Sequence, residues 1–238
     1  MTPTTAQILP SSRPLRSDDL FFPAMALLIL GIVGIGFSRS YFLAGMFRAP
    51  LPDLVVHVHA GLFMSWVLLL LVQNGLAATG NVKIHATLGL CGFALVPGMA
   101  VAALLTLADS IRRSDSGIPG ELLLVGDLQE ISLFVCLTVW GLLARRNAAS
   151  HKRLMIFGTL GMLGPAIDRF PFEHTVLFTL GLKLALPALI VAYDLWSRGR
   201  IHRSTGIAYA LMIGATAAVL PAAKLSVVHG LVTWIMRA

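Results

Sequence analysis

"LVVHVHAGLFMSWVLLLLVQNGLAA" (54–78), "TGNVK" (79–83) and "IHATLGLCGFALVPGMAVAALLTLAD" (84–109) decide the fold. Each outer run exceeds the ~20 residues a bilayer core requires. The apolar residues cover the whole circumference of each run, where a soluble surface helix keeps only a stripe. The short polar turn between them, with Gly80 and Lys83, permits nothing but a helical hairpin. The rest of the chain repeats this pattern.

Composition agrees. Of the 238 residues, 57% are hydrophobic and 12% charged, about half the charged fraction of a soluble domain. Mean hydropathy is +0.83. A soluble globular protein, a disordered tail and a fibrous repeat are excluded. The net charge is +7, which on a soluble protein would suggest nucleic acid. Here the basic residues occupy short loops between apolar runs, so the expected partner is a lipid bilayer and not nucleic acid. Cys91 and Cys136 fall inside apolar runs without CxxC spacing and read as free thiols packed as small hydrophobes.

Residues 1–19 form a polar arm. Residues 20–238 form one transmembrane bundle, all-α and polytopic, with about seven spans. Leu20 to Ser38 is too long for a signal-peptide core and reads as a retained first span. The other spans are 54–78, 84–109, 121–144, 151–169, 174–196 and 204–222, followed by a helical tail after Pro221. Ten basic residues, among them Arg16, Lys83, Arg145, Arg198 and Arg200, fall on the side of the N-terminus. Six fall opposite, including Arg39, Arg48 and Arg112. The positive-inside rule then puts the N-terminus in the cytoplasm, in a bacterial inner membrane.

An internal echo runs through "IHATLG", "SHKRLM" and "IHRSTG". Each places a histidine, His85, His151 or His202, at the cytoplasmic start of an odd-numbered span. With Lys152, Arg153 and Arg203 they suggest an anion or lipid-headgroup site at helix N-termini. Ordinary interfacial anchoring explains the same residues.

The outer half carries the stronger signal. Asp127 and Glu130 lie about 9 and 13 Å deeper than Glu121 and share one helix face. Intramembrane carboxylates are costly and face a bundle interior or cavity. Lys183, about 13 Å from His174, reaches a similar depth. Four residues on, Pro187 frees the Lys183 carbonyl from its helix bond. An outer pocket of His57, His59, Asp127, Glu130 and His229 has a donor set for a metal such as iron, zinc or copper. Lys183, Asp168 and Arg169 would balance the charge. The competing reading is a structural network pairing Glu130 with Lys183 and Asp168 with Arg169. A non-heme metal fits better than b-type heme. The inner histidines sit too close to helix ends for a buried ring, and an outer pair requires His229 to fold back. Proton transfer suits the same residues, with Gln73, Asn74 and Asp194 in the inner half. A retinal site would need its lysine on a different helix.

The stretches "YFLAGMFRAPLPDLVVHVHAGLFMSWVLLLLVQ", "IHATLGLCGF", "HKRLM" and "YDLWSRGRIHRST", with His229 near the end, resemble a family of uncharacterised bacterial multi-pass membrane proteins. The resemblance covers most of the chain after residue 40 and includes His57, His59, His85, His151, His202 and His229. Where members carry a basic residue after the third of these, this chain has Ala86, which weakens an inner anion site. The resemblance implies the fold and no activity.

The expected function is to hold a metal ion or small ligand in the outer pocket, with a redox role open. The alternative is an accessory subunit of a larger membrane complex. In that case "GIVGIG" and "GTLGMLG" would pack against other subunits.

Overall fold

The computed structural model describes residues 16–47, 53–113, 117–173 and 175–237. Most of the polar arm, Arg48 and His174 lie outside them. The described residues fold entirely as helices and connecting turns. α1 spans Ser17–Gly36, so its first turn takes in residues read above as arm. A π-helical turn at Ser38–Phe42 and the short α2 (Ala44–Phe47) follow. Next come α3 (Leu54–Ala78), α4 (Val82–Phe93), α5 (Leu95–Arg113) and α6 (Gly120–Leu143). α7 (Ala148–Leu160), α8 (Gly164–Ile167), α9 (Val176–Arg198), α10 (Arg203–Ala223) and α11 (Ser226–Arg237) complete the chain.

Six elements are long and apolar enough to cross a bilayer: α1, α3, the α4–α5 pair, α6, α9 and α10. The predicted span 151–169 is not among them. It breaks at Gly161–Leu163 into α7 and α8. Yet it is the best-buried segment of the molecule, with Leu154, Ile156, Phe157, Thr159, Leu163 and Ile167 nearly inaccessible. Apolarity and continuity matter less for a helix encased in other helices than for one facing lipid.

Small residues permit that encasement. A Cβ on Gly158 would lie 2.8 Å from Thr138 of α6, and one on Gly161 3.2 Å from Leu133. Gly36 sits against the backbone of Ala166 in α8. The glycines of "GTLGMLG" and the last glycine of "GIVGIG" are therefore used within this chain. Trp66 of α3 donates from Nε1 to the buried Thr159 hydroxyl at 3.1 Å, tying α3 to α7.

Side-chain caps start several helices, each satisfying an otherwise unpaired N–H. Asn147 accepts from the Ser150 N–H, Thr175 from that of Phe178 and His202 from that of Ser204. Gly199, at φ 66°, ends α9 in the left-handed conformation that costs glycine least. Beyond Pro221 the tail turns and forms α11. Its Val228 and Val232 pack on Leu107, Ile111 and Leu124, at the ends of α5 and α6. Its other face, with Val227, Leu231 and Trp234, is exposed. Both cysteines are free thiols as expected, but they lie exposed on the outside of the bundle and not packed within it.

Candidate functional site

The two halves of the bundle hold separate polar groups. In the half away from the basic loops, Lys183 of α9 donates to Glu130 of α6. Both side chains are largely buried. The pair rests on Gly164, where a Cβ would collide with the Glu130 carboxylate. The break between α7 and α8 therefore makes room for the ion pair. Pro187 lies inside α9, and Tyr209 of α10 donates to the neighbouring Leu184 carbonyl at 3.2 Å. Asp127, one turn before Glu130, is half-buried. Among the described residues no hydrogen bond or ion pair reaches it. The charges of Arg169, Lys183 and Asp168 act on it at longer range.

Asp168 and Arg169 are exposed at the mouth of this cluster. They do not form the expected ion pair among the described residues. Arg169 donates to the Pro165 carbonyl at 2.8 Å and lies over the Phe37 ring.

The histidines expected to join this site are dispersed. His57 is exposed and hydrogen-bonded to the Tyr41 hydroxyl at 2.8 Å. His59 stacks on Phe63, 3.4 Å from the Thr106 hydroxyl. His229 donates to Glu121 at 2.7 Å on the exposed face of α11. Among the described residues no three His, Cys, Asp or Glu side chains come together as a metal cage. The reason is geometric: His57 and His59 point about 200° apart on a regular helix, and α11 carries His229 toward the end of α6.

At the basic end the structure corrects the anion-site reading. Arg153 is 1% exposed, unavailable to a headgroup, and pairs with Asp194 of α9. Asp194 also accepts from the Thr205 hydroxyl at 2.6 Å and the His202 backbone N–H at 3.0 Å. Arg153 donates further to the Ala149 carbonyl at 2.8 Å. Buried charges persist only when paired and hydrogen-bonded this fully. Lys152 pairs with Asp18 and lies over the Phe22 ring. Tyr193 donates to the same carboxylate at 2.6 Å and stacks on Phe21. Of the proposed cations only Arg203 is exposed.

His202 caps α10 through Nδ1. His85 and His151 instead bond through Nδ1 to carbonyls of the preceding helices and face one another.

Sequence reasoning placed Asp194 near the end of its span but gave it no partner. The signal was present: one acidic residue at the cytoplasmic end of the apolar span 174–196 needs a buried cation, and among the other spans after the first only 151–169 carries basic residues, with Lys152 and Arg153 at the same end. Buried Gln73 is a second residue whose role did not show in sequence.

These features define an all-α polytopic membrane helix bundle with a buried charge cluster in each half. No family model, curated protein or solved structure matches the chain significantly.

Proposed function

We propose that this is a multi-pass inner-membrane protein, basic end in the cytoplasm, whose outer half takes up a proton or small cation. The binding groups are Asp127 and Glu130, with Lys183 paired to Glu130 and Asp168 and Arg169 at the mouth. The observation that carries this reading is the Glu130–Lys183 pair seated on Gly164 beside an unbonded Asp127. Asp127, Glu130 and Asp168 supply three negative charges when ionised, and Lys183 and Arg169 two positive ones. One negative charge remains in a region where an uncompensated charge is costly, and a proton or small cation neutralises it. The geometry supports the carboxylates as binding groups, with Lys183 balancing charge, in place of His57, His59 and His229.

Infrared difference spectroscopy on protein in lipid, between acid and neutral pH with and without sodium, tests this. A carboxyl stretch that titrates and disappears in Asp127→Asn or Glu130→Gln is the expected result. Absence of any such band, with no sodium response, overturns the reading.

For an accessory subunit, α4 offers an apolar face that either lipid or another chain would cover. None of its residues is buried, and Ile84, Leu88 and Leu90 are exposed. Stoichiometric co-purification of another membrane chain would favour the accessory-subunit reading.

A further inference from the structure

His85 and His151 start the second helices of different hairpins yet meet at the basic end, between α3, α4 and α7. His85 lies in the first turn of α4, and its Nδ1 is 3.2 Å from the Gln73 carbonyl of α3. His151 lies in the first turn of α7, and its Nδ1 is 2.7 Å from the Gly141 carbonyl of α6. A carbonyl only accepts, so each Nδ1 carries the proton. Each Nε2 is then left with a lone pair. This is the arrangement that orients metal-ligating histidines, whose second nitrogen donates to a carbonyl or carboxylate. The ring centroids are 6.0 Å apart and the planes nearly perpendicular, at 86°. Metal–nitrogen bonds of about 2.0–2.1 Å put the centroids of two imidazoles on one metal about 5–6 Å apart.

Gln73 is an independent observation in the same corner. It is 9% exposed, and among the described residues neither its amide nitrogen nor its amide oxygen has a partner. The amide packs on Gly89, where a Cβ would lie 3.2 Å from Nε2 of Gln73. Gly89 is one turn beyond His85 on the same face of α4. A buried amide without a partner keeps its full desolvation penalty, so the position calls for a hydrogen-bonding ligand.

We propose that His85 and His151 bind one transition-metal centre through Nε2, with the Gln73 amide hydrogen-bonded to a further ligand on that metal. Imidazole suits iron, copper, zinc and nickel. Two protein ligands leave the shell to be completed from outside, by water around a bare ion or, against the expectation that these histidines sit too close to helix ends for a buried ring, by the porphyrin nitrogens of heme iron. The third histidine of the repeat is a built-in control. His202 uses Nδ1 as an acceptor for the Ser204 N–H, the opposite tautomer from a histidine that donates there, and takes no part. The centre lies at the other end of the bundle from Asp127 and Glu130, so its failure leaves the proton or cation reading standing.

The test uses the full chain purified in mild detergent and stripped with chelator, then titrated separately with Cu2+, Zn2+ and hemin. One equivalent bound, weakened at least tenfold in both His85→Ala and His151→Ala but not in His202→Ala, is the expected result. Gln73→Leu weakens binding about 10–100-fold, the usual effect of losing an outer-shell partner. A hemin complex with bis-imidazole optical bands assigns heme iron. Saturation by Cu2+ or Zn2+ without hemin binding assigns a bare ion. Pulsed electron paramagnetic resonance of the Cu2+-loaded unsubstituted protein counts imidazoles directly and needs no variant to fold. Two imidazoles on copper, or bis-imidazole heme, support the proposal. Equal affinities in wild type and both histidine variants, or fewer than two imidazoles with no hemin complex, overturn it.

Discussion

Two carboxylate–cation pairs lie inside this bundle, and they are built differently. Asp194 receives Arg153, Thr205 and the His202 backbone, and so joins α7, α9 and α10. Glu130 receives Lys183 alone among the described residues, beside an unbonded Asp127. The first carboxylate has its lone pairs filled and works as a joint. The second retains acceptor capacity on a glycine-lined break, which is what a group that exchanges a proton or ion requires. Burial alone does not separate the two, since both are enclosed. The number of donors does.

The largest effect that would break this contrast is expected at the joint. Arg153→Met strands the Asp194 charge and should cost about 3–5 kcal/mol, read as loss of monodisperse protein or a steep drop in Tm in detergent. Arg153→Met with Asp194→Leu should recover only part of it, because the stranded charge is removed but the Thr205 hydroxyl and the His202 N–H lose their acceptor. Lys183→Met should cost less, about 1–3 kcal/mol, because Glu130 can take a proton when its partner is gone. If Lys183→Met proves as damaging as Arg153→Met, both pairs are joints. Trp66→Phe removes one neutral buried hydrogen bond to Thr159 and should cost about 0.5–1.5 kcal/mol. It supplies the scale for a contact without charge.

The smallest expected effect is at His202, in the loop before α10. Burial first, and then the Arg153 charge, hold its pKa below the ordinary histidine value of 6.5. The neutral ring also accepts the Ser204 N–H. Its contribution to stability is therefore full above that ordinary value. It is lost as pH falls through that value toward the lowered folded one. His202→Asn should keep a cap and flatten this part of the Tm–pH profile.

The helices, their order and the hairpin turns were legible in the sequence, because apolar length is a one-dimensional property. The Glu130–Lys183 pair was legible too, since helical rise gives depth. Rotation was not. Whether Arg153 faced headgroups or Asp194 depended on how α7 turns within the bundle, and positive-inside statistics favoured the wrong side. His57, His59 and His229 were grouped by depth; azimuth separates the first two, and the turn after α10 carries His229 to the end of α6. His85 and His151 were assigned to a surface because they start helices, although their Nδ1 bonds turn them toward each other.

The break at Gly161–Leu163 bears on how the molecule is made. The segment containing α7 and α8 carries His151, Lys152 and Arg153, and its two helices fall below the length and apolarity that crossing a bilayer alone requires. The carboxylate that neutralises Arg153 lies 41 residues later in the chain. A segment of this polarity is costly to place in lipid before its partner exists. Its insertion should therefore depend on α9, which carries Asp194, and a chain stopped before α9 should leave the α7–α8 segment on the side of the basic loops.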